Sequence, residues 1–153
     1  MTQSSEPAYR RPGAAARRLN RTMGWLARHG LGLAGAAELT VLGRRSGEPR
    51  RVPVNPMEHE GVHYLVSARG ETEWVRNIRV AGGGELRTGR RVRRFTVQEV
   101  PPQETVPLLR AYLTRWGWEV KPLFGGLDAT ADDEQLLAAA PDHPVFRLTP
   151  IAG

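Results

Sequence analysis

The chain has 153 residues, which favours one domain with a single sizeable core. It contains no cysteine, so disulfides, thiolate catalysis and cysteine-based metal sites are excluded. The formal net charge is +6, and of the 22 basic residues only Lys121 is a lysine. A basic protein attracts anionic partners, and composition alone leaves nucleic acid, membrane headgroups and acidic small molecules open.

The N-terminal region predicts a tail followed by a helix. Residues 1–13 are polar and predict a flexible tail, so the single domain is expected to span residues 14–153. Residues 14–29 show helical spacing with arginines around the apolar stripe. This pattern predicts a helix over an open end of the fold or a basic helix at a membrane surface. A signal pattern and an apolar run of about 18 residues are both absent, so we expect a cytoplasmic protein, peripheral to the membrane at most.

A strand, a tight basic loop and a second strand come next. Leu39–Leu42 is short and apolar, which suits a buried strand. The loop Gly43–Gly47 holds two arginines and a serine, whose donors fit a phosphate or carboxylate. A solvated basic hairpin turn is the other interpretation, because charge runs are often only solvated. Pro53 and Pro56 fall inside the second strand pattern, which predicts an edge strand, a bulge or an early end.

The middle of the chain predicts a strand, a short helix and a hairpin. Val62–Ala68 alternates in the manner of a strand. Thr72–Val80 reads as a helix with Thr72 as its N-cap. Glu85–Thr88 and Val92–Val100 predict a hairpin, in which the phase of Val92 indicates a bulge or an irregular start near Arg93 and Arg94.

The last third predicts two helices and a strand. Thr105–Trp116 reads as a helix that Gly117 stops. Trp118–Leu127 reads as a loop in which the apolar residues Trp118, Leu123 and Phe124 are expected to be exposed. Thr130 is expected to cap a short helix that ends at Ala139, and His143–Thr149 to form a final strand. About six strands, mostly antiparallel because of their short connections, predict an α+β fold with a small barrel.

No catalytic group of side chains stands out on chemical grounds. His59, His63 and His143 have no metal-ligand spacing with each other or with carboxylates. Ser46 has no evident base. An enzyme with this sequence therefore needs a bound cofactor to carry the reaction.

Four blocks in order give the chain a family resemblance. Leu39–Arg50 resembles the T-x-G-(R/K)-(R/K)-(S/T)-G-x-x-R block of the deazaflavin-dependent nitroreductases. Arg51–Val54 is similar to the V-P-L strand of that family, and Leu65–Gly70 to its V-V-A-S-(K/R)-G strand end. Trp74–Ala81 is similar to its W-x-x-N-L-x-A helix. The resemblance covers about Glu38–Val100 and implies a small split β-barrel that binds coenzyme F-420, with an N-terminal helix and flanking helices.

The resemblance also implies a role for particular side chains. Arg44, Arg45 and Ser46 would hold the phosphodiester of the cofactor. Arg69 would face the anionic side of the same ligand. Pro53, Val54, Ser67 and Ala68 would line the deazaflavin ring, and Trp74 and Asn77 would close one wall, although Trp74 suits the core equally well. Arg50 and Arg51 are candidates for the acidic tail. The residues expected to bind the cofactor are Arg44, Arg45, Ser46, Gly47, Arg50, Pro53, Val54, Ser67, Ala68, Arg69, Trp74 and Asn77.

The implied activity is hydride transfer from the reduced deazaflavin to a quinone, a nitro compound or an activated enone. Tyr64, Tyr112 and His63 are candidate proton donors. Ala68 stands where a serine is common in the family, and the region after Val100 is longer, so the substrate stays open. The alternatives are a split barrel that binds FMN and a non-catalytic binder of lipid or quinone. We expect a monomer or homodimer. We expect no binding of nucleic acid, because the helices lack a basic recognition face.

Overall fold

The computed structural model describes residues 36–151, and all strands in this part form one antiparallel sheet. The strands are β1 (Ala37–Leu42), β2 (Pro49–Val54), β3 (Met57–His59), β4 (Val62–Val66), β5 (Gly83–Thr88), β6 (Arg91–Glu99) and β7 (Val145–Pro150). The α-helices of the described part are α1 (Glu73–Ala81), α2 (Val106–Val120) and α3 (Asp133–Ala139). The tail and the helix predicted for residues 1–29 lie outside the described residues.

The connection between β2 and β3 shows that the sheet curls. The strand order is β2-β1-β5-β6-β7-β4-β3, so these two strands form opposite edges. Only Asn55 and Pro56 separate them along the chain, and so short a segment spans only about 10 Å. The two edges must therefore approach each other at that corner. The result is the curled half-barrel that the sequence predicts, with seven strands where about six were expected because β3 is a separate strand.

Two hydrophobic clusters lie on the two sides of the sheet. The cluster within the barrel comprises Leu39, Val41, Leu65, Val75, Ile78, Phe95, Phe146 and Leu148. The other lies under α2 and α3 and includes Leu109, Leu113, Trp116, Phe124, Leu136 and Val145. Alternation along β4 serves both clusters, since Leu65 belongs to the first while Tyr64 and Val66 pack against the second.

The local signals for β2 and α1 are confirmed. The strand β2, which contains Pro53, is an edge strand that ends at Val54. The side chain of Thr72 caps α1 by accepting a hydrogen bond from the N–H of Val75. Gly82 ends the helix in the left-handed conformation, at φ 77°. These interactions fix the orientation of α1, which packs against β1 and β5.

The bulge or irregular start predicted near Arg93 and Arg94 is wrong. Pairing between β5 and β6 is continuous from Gly83 to Thr88, so Val92 simply lies on the outer face of a regular strand, where it is exposed. Strand β5 also begins two residues earlier than predicted. A Cβ on Gly84 would lie 2.6 Å from the Thr40 carbonyl oxygen, so this position in the strand requires a glycine.

The prediction that Gly117 stops α2 is also wrong. The helix continues to Val120 because Trp116 and Val120 extend the buried stripe of Leu109 and Leu113 past the glycine. Burial of that stripe outweighs the roughly 1 kcal/mol that a helical glycine costs. The predicted loop after Gly117 therefore begins as helix, in which Trp118 is exposed as expected.

The burial of Phe124 and the start of α3 also differ from the sequence prediction. Phe124 is buried at the end of a short 3-10 helix, although it was expected to be exposed. Helix α3 is capped by Asp132 rather than Thr130, in a reciprocal capping box with Gln135. Among the helices that the structure describes, none is long and apolar enough to cross a membrane.

Candidate functional site

A cavity of about 840 Å³ opens beside the loop between β1 and β2. Its walls come from this loop, the edge strand β2, the segment after β4, the first two turns of α1 and the end of α2. Eleven of the twelve residues expected to bind a cofactor line it, namely Arg44, Arg45, Ser46, Arg50, Pro53, Val54, Ser67, Ala68, Arg69, Trp74 and Asn77. The fold thus brings together residues that are up to 33 positions apart in the chain.

The basic loop is tight because its two glycines close it. The N–H of Gly43 donates to the Glu48 carbonyl oxygen, and the N–H of Gly47 donates to the Gly43 carbonyl oxygen, each at 2.8 Å. Gly47 has φ 71°, a conformation that favours glycine. It shapes the loop without lining the cavity. The Oγ of Ser46 accepts hydrogen bonds from the Glu48 N–H at 3.1 Å and from Arg50 Nη2 at 3.5 Å.

Arg44 joins the loop to helix α1. Its backbone N–H and its Nη1 both donate to Asn77 Oδ1, at 3.0 and 2.8 Å. The same Nη1 also lies 2.9 Å from Glu73 Oε1. This hydrogen bond lowers the pKa of the Glu73 carboxyl. Part of the Arg44 guanidinium is therefore already engaged within the protein, where it holds the loop against helix α1.

The other arginines of the cavity wall are more available. Within residues 36–151, Arg45 and Arg69 make no ion pair, while Arg51 has only a long contact, 4.0 Å, with Glu38. Arg45, Arg50 and Arg51 are exposed at the mouth. Guanidinium groups that line one cavity with few carboxylate partners create a positive potential that attracts phosphate or carboxylate ligands.

The end of β4 is held rigidly from behind. The N–H of Ser67 donates to the Pro144 carbonyl oxygen at 2.9 Å, and its hydroxyl donates to the Gly70 carbonyl oxygen at 2.6 Å. The strand therefore ends at Val66, before Ala68 where the sequence suggested. The Ser67 hydroxyl is buried in this turn, so this residue offers the cavity little besides its backbone.

His143 supports the next residue of the same segment. Its Nδ1 lies 3.1 Å from the Ala68 carbonyl oxygen, which can only accept a hydrogen bond. The imidazole is buried and stacks on the Phe124 ring at 3.8 Å between centroids. Burial lowers the pKa of His143, so the ring is neutral at pH 7. The pair of rings fixes the position of Ala68 at the cavity wall.

Trp74 both packs into the core and lines the cavity. The indole is half-buried, packs against the barrel cluster and lies 5.8 Å from the Phe146 ring between centroids. It also lines the cavity. One side of the ring thus contributes to the core while the cavity retains a flat apolar surface.

The three candidate proton donors occupy different places. Tyr112 on α2 lines the cavity and is 4% exposed. Burial, together with the charge of Glu119, raises the pKa of Tyr112 well above its usual value. Tyr64 lines a second cavity of about 480 Å³, and His63 lines neither of these two.

Sequence reasoning missed the contribution of the end of α2. Glu119, Val120 and Leu123 all line the cavity, although this stretch was predicted as a loop. The available signal was the apolar spacing Leu113, Trp116, Val120, which continues the helical period beyond Gly117. No group of acidic or histidine side chains in the described range could hold a metal ion.

Comparison with known proteins agrees with the fold. The model of the F420H(2)-dependent quinone reductase family matches residues 10–117. No curated protein matches the chain significantly. Solved structures with a similar fold include an F420-H2 dependent reductase, with a TM-score of 0.50 and 19% identity over 75% of this chain and 94% of that one.

Two other solved structures are similar at the level of the fold. One is a protein of unknown function from Agrobacterium tumefaciens strain C58, with a TM-score of 0.54 and 21% identity over 94% of this chain and 58% of that one. Another is described as a domain-swapped dimer, with a TM-score of 0.53 and 16% identity over 88% of this chain and 96% of that one.

Proposed function

Because the chain belongs to the F420H(2)-dependent quinone reductase family and is an F-420-dependent reductase, we propose that it transfers a hydride to a quinone or similarly electron-poor acceptor in the cavity beside the β1–β2 loop. The observation that carries this proposal is the convergence on one cavity of arginines, a rigid strand end and the Trp74 ring. These are the surfaces that an anionic cofactor with a flat ring requires.

The side chains that line the cavity fit the chemistry of the cofactor. A phosphodiester needs converging N–H donors, and the loop offers Arg45 together with the part of Arg44 that Glu73 and Asn77 leave available. A deazaflavin ring needs a flat, largely apolar wall with backbone groups at its edge. Pro53, Val54 and Ala68 with Trp74 supply that wall. Arg50, Arg51 and Arg69 would interact with the remaining negative charge of the cofactor.

The acceptor would lie on the side of the cavity that is formed by helix α2. When bound, the reduced cofactor supplies a hydride, and a quinone that gains this hydride and one proton becomes a hydroquinone. The Tyr112 hydroxyl makes no hydrogen bond within the described residues. Its raised pKa keeps the hydroxyl protonated, so it can donate a hydrogen bond to an acceptor oxygen. We propose Tyr112 as the residue that orients the acceptor.

Binding of the oxidised cofactor tests the site directly. The purified protein is titrated with oxidised F-420, and separately with FMN, while the fluorescence of the ligand is followed. We expect saturable F-420 binding that weakens about tenfold or more in Arg45→Ala, because a charge-assisted hydrogen bond to phosphate is lost. Arg91→Ala is the matched control, since Arg91 is an exposed arginine on β6 outside the cavity.

The proposal predicts two further features of this titration. Affinity for F-420 should fall with added salt, because the main contacts are between charges. Binding of FMN alone, or equal losses in Arg45→Ala and Arg91→Ala, would contradict the assignment of the site.

A further inference from the structure

The walls of the main cavity differ in charge. The wall formed by the β1–β2 loop and β2 carries Arg44, Arg45, Arg50 and Arg51. The wall formed by the end of α2 and the turn after it carries one charged side chain, Glu119, beside Tyr112, Val120 and Leu123. A ligand in this cavity therefore meets positive groups on one wall, and a carboxylate among apolar groups on another.

Glu119 has no role in the stability of the fold that the structure reveals. It is exposed and makes no ion pair or hydrogen bond within residues 36–151. It lies in the last turn of α2, where a carboxylate is opposed by the negative end of the helix dipole. It nevertheless lines the same cavity as Tyr112, whose pKa is raised first by burial and then by the charge of Glu119.

Cofactor binding would change the balance of charge in the cavity. The arginines would be neutralised by the phosphodiester and the other anionic groups of F-420, whereas no cationic group of the described chain faces Glu119 closely enough to form a pair. The Glu119 carboxylate would then be an uncompensated protein charge on the wall next to the acceptor.

We infer that Glu119 is a specificity residue that makes the acceptor site select neutral or cationic flat acceptors and reject anionic ones. This inference rests on the proposed function. An exposed carboxylate within a few ångströms of a charged ligand changes relative affinity by about three- to tenfold. The substrate class is therefore an uncharged or positively charged quinone-like molecule.

Two acceptors that differ by one charged group test the inference. The protein is saturated with oxidised F-420, which cannot deliver electrons, and binding of naphthoquinone and of naphthoquinone sulfonate is measured by equilibrium dialysis. In wild type we expect naphthoquinone to bind more tightly. In Glu119→Gln, the ratio of the two dissociation constants should shift three- to tenfold in favour of the sulfonate, and Glu119→Asp should retain the wild-type ratio.

A matched variant separates the local charge from the net charge. Glu134→Gln removes one exposed carboxylate from α3, outside the cavity, and should leave the ratio at the wild-type value. An unchanged ratio in Glu119→Gln, an equal shift in both glutamine variants, or failure of both quinones to bind would overturn the inference. Failure of the proposed function itself is recognised earlier, because F-420 then does not bind to the wild-type protein.

Discussion

Replacing Asn77 with alanine tests whether helix α1 holds the basic loop in its binding conformation. The Oδ1 atom of Asn77 accepts two hydrogen bonds from Arg44, one from its backbone N–H and one from its guanidinium. Asn77 is 5% exposed, so water replaces these bonds poorly when the side chain is removed. Removing the side chain should therefore lower the stability of the fold and disturb the geometry of the loop.

The expected loss of stability follows from the two hydrogen bonds. A neutral bond contributes about 0.5–1.5 kcal/mol and one to a charged group about 1.5–3 kcal/mol. The lower half of the sum applies, because Arg44 retains its pair with Glu73. We expect Asn77→Ala to lower the free energy of unfolding by about 2–3 kcal/mol. Affinity for oxidised F-420 should fall about tenfold, since the loop must then be ordered on binding.

Asn77→Asp separates the two effects. An aspartate retains the acceptor atom and can pair with Arg44, so stability should fall by less than in Asn77→Ala. It also places a negative charge at the wall where the anionic cofactor is expected, so affinity should still fall. Urea unfolding followed by tryptophan fluorescence measures stability, and F-420 titration measures binding.

One pattern of results would refute this reasoning. If Asn77→Ala unfolds within about 0.5 kcal/mol of the wild type and binds F-420 equally well, the contacts between Asn77 and Arg44 do not maintain the loop. If Asn77→Asp binds F-420 as tightly as wild type, the loop is not beside the negative charge of the cofactor.

Three other predictions concern the glycines of the fold and His143. Gly84→Ala should destabilise the protein by more than about 2 kcal/mol in urea unfolding, because its Cβ would collide with the Thr40 carbonyl. Gly117→Ala should stabilise it by about 0.5–1 kcal/mol, since the new Cβ meets only an ordinary contact at 3.8 Å inside a helix, and a loss of stability would contradict this. Because the pKa of His143 is lowered in the folded state, the unfolded chain takes up a proton at a higher pH than the folded one does. The free energy of unfolding should therefore be highest above pH 6.5 and fall as the pH drops below it. The slope there should reach up to about 1.4 kcal/mol per pH unit, and an undiminished slope in His143→Gln would assign it to another group.

Features that depend on neighbouring residues in the chain could be predicted from sequence. Thr72 caps α1 because its hydroxyl needs only the N–H of Val75, three residues later. Strand β2 lies at an edge, which is one of the outcomes that Pro53 and Pro56 predicted. The four blocks from Leu39 to Ala81 led to the family and its cofactor because their residues and order are specific together.

Features that depend on packing across the fold could not be predicted in this way. Local propensity at Gly117 favours a helix end, but burial of Trp116 and Val120 against the core extends the helix. Phe124 looked exposed in a loop, yet it is buried against His143, 19 residues later in the sequence. In both cases, contacts between distant segments outweigh the local signal.

The loop Gly43–Gly47 shows the same division within one element. Its glycines, arginines and serine predicted, from sequence alone, a tight turn rich in hydrogen-bond donors. Only the tertiary structure decided that Arg44 is engaged by Asn77 and Glu73 and that Glu119 lies on another wall of the same cavity. Turn geometry follows from residues a few positions apart, whereas the pairing of charges follows from which elements the curled sheet and its helices bring together.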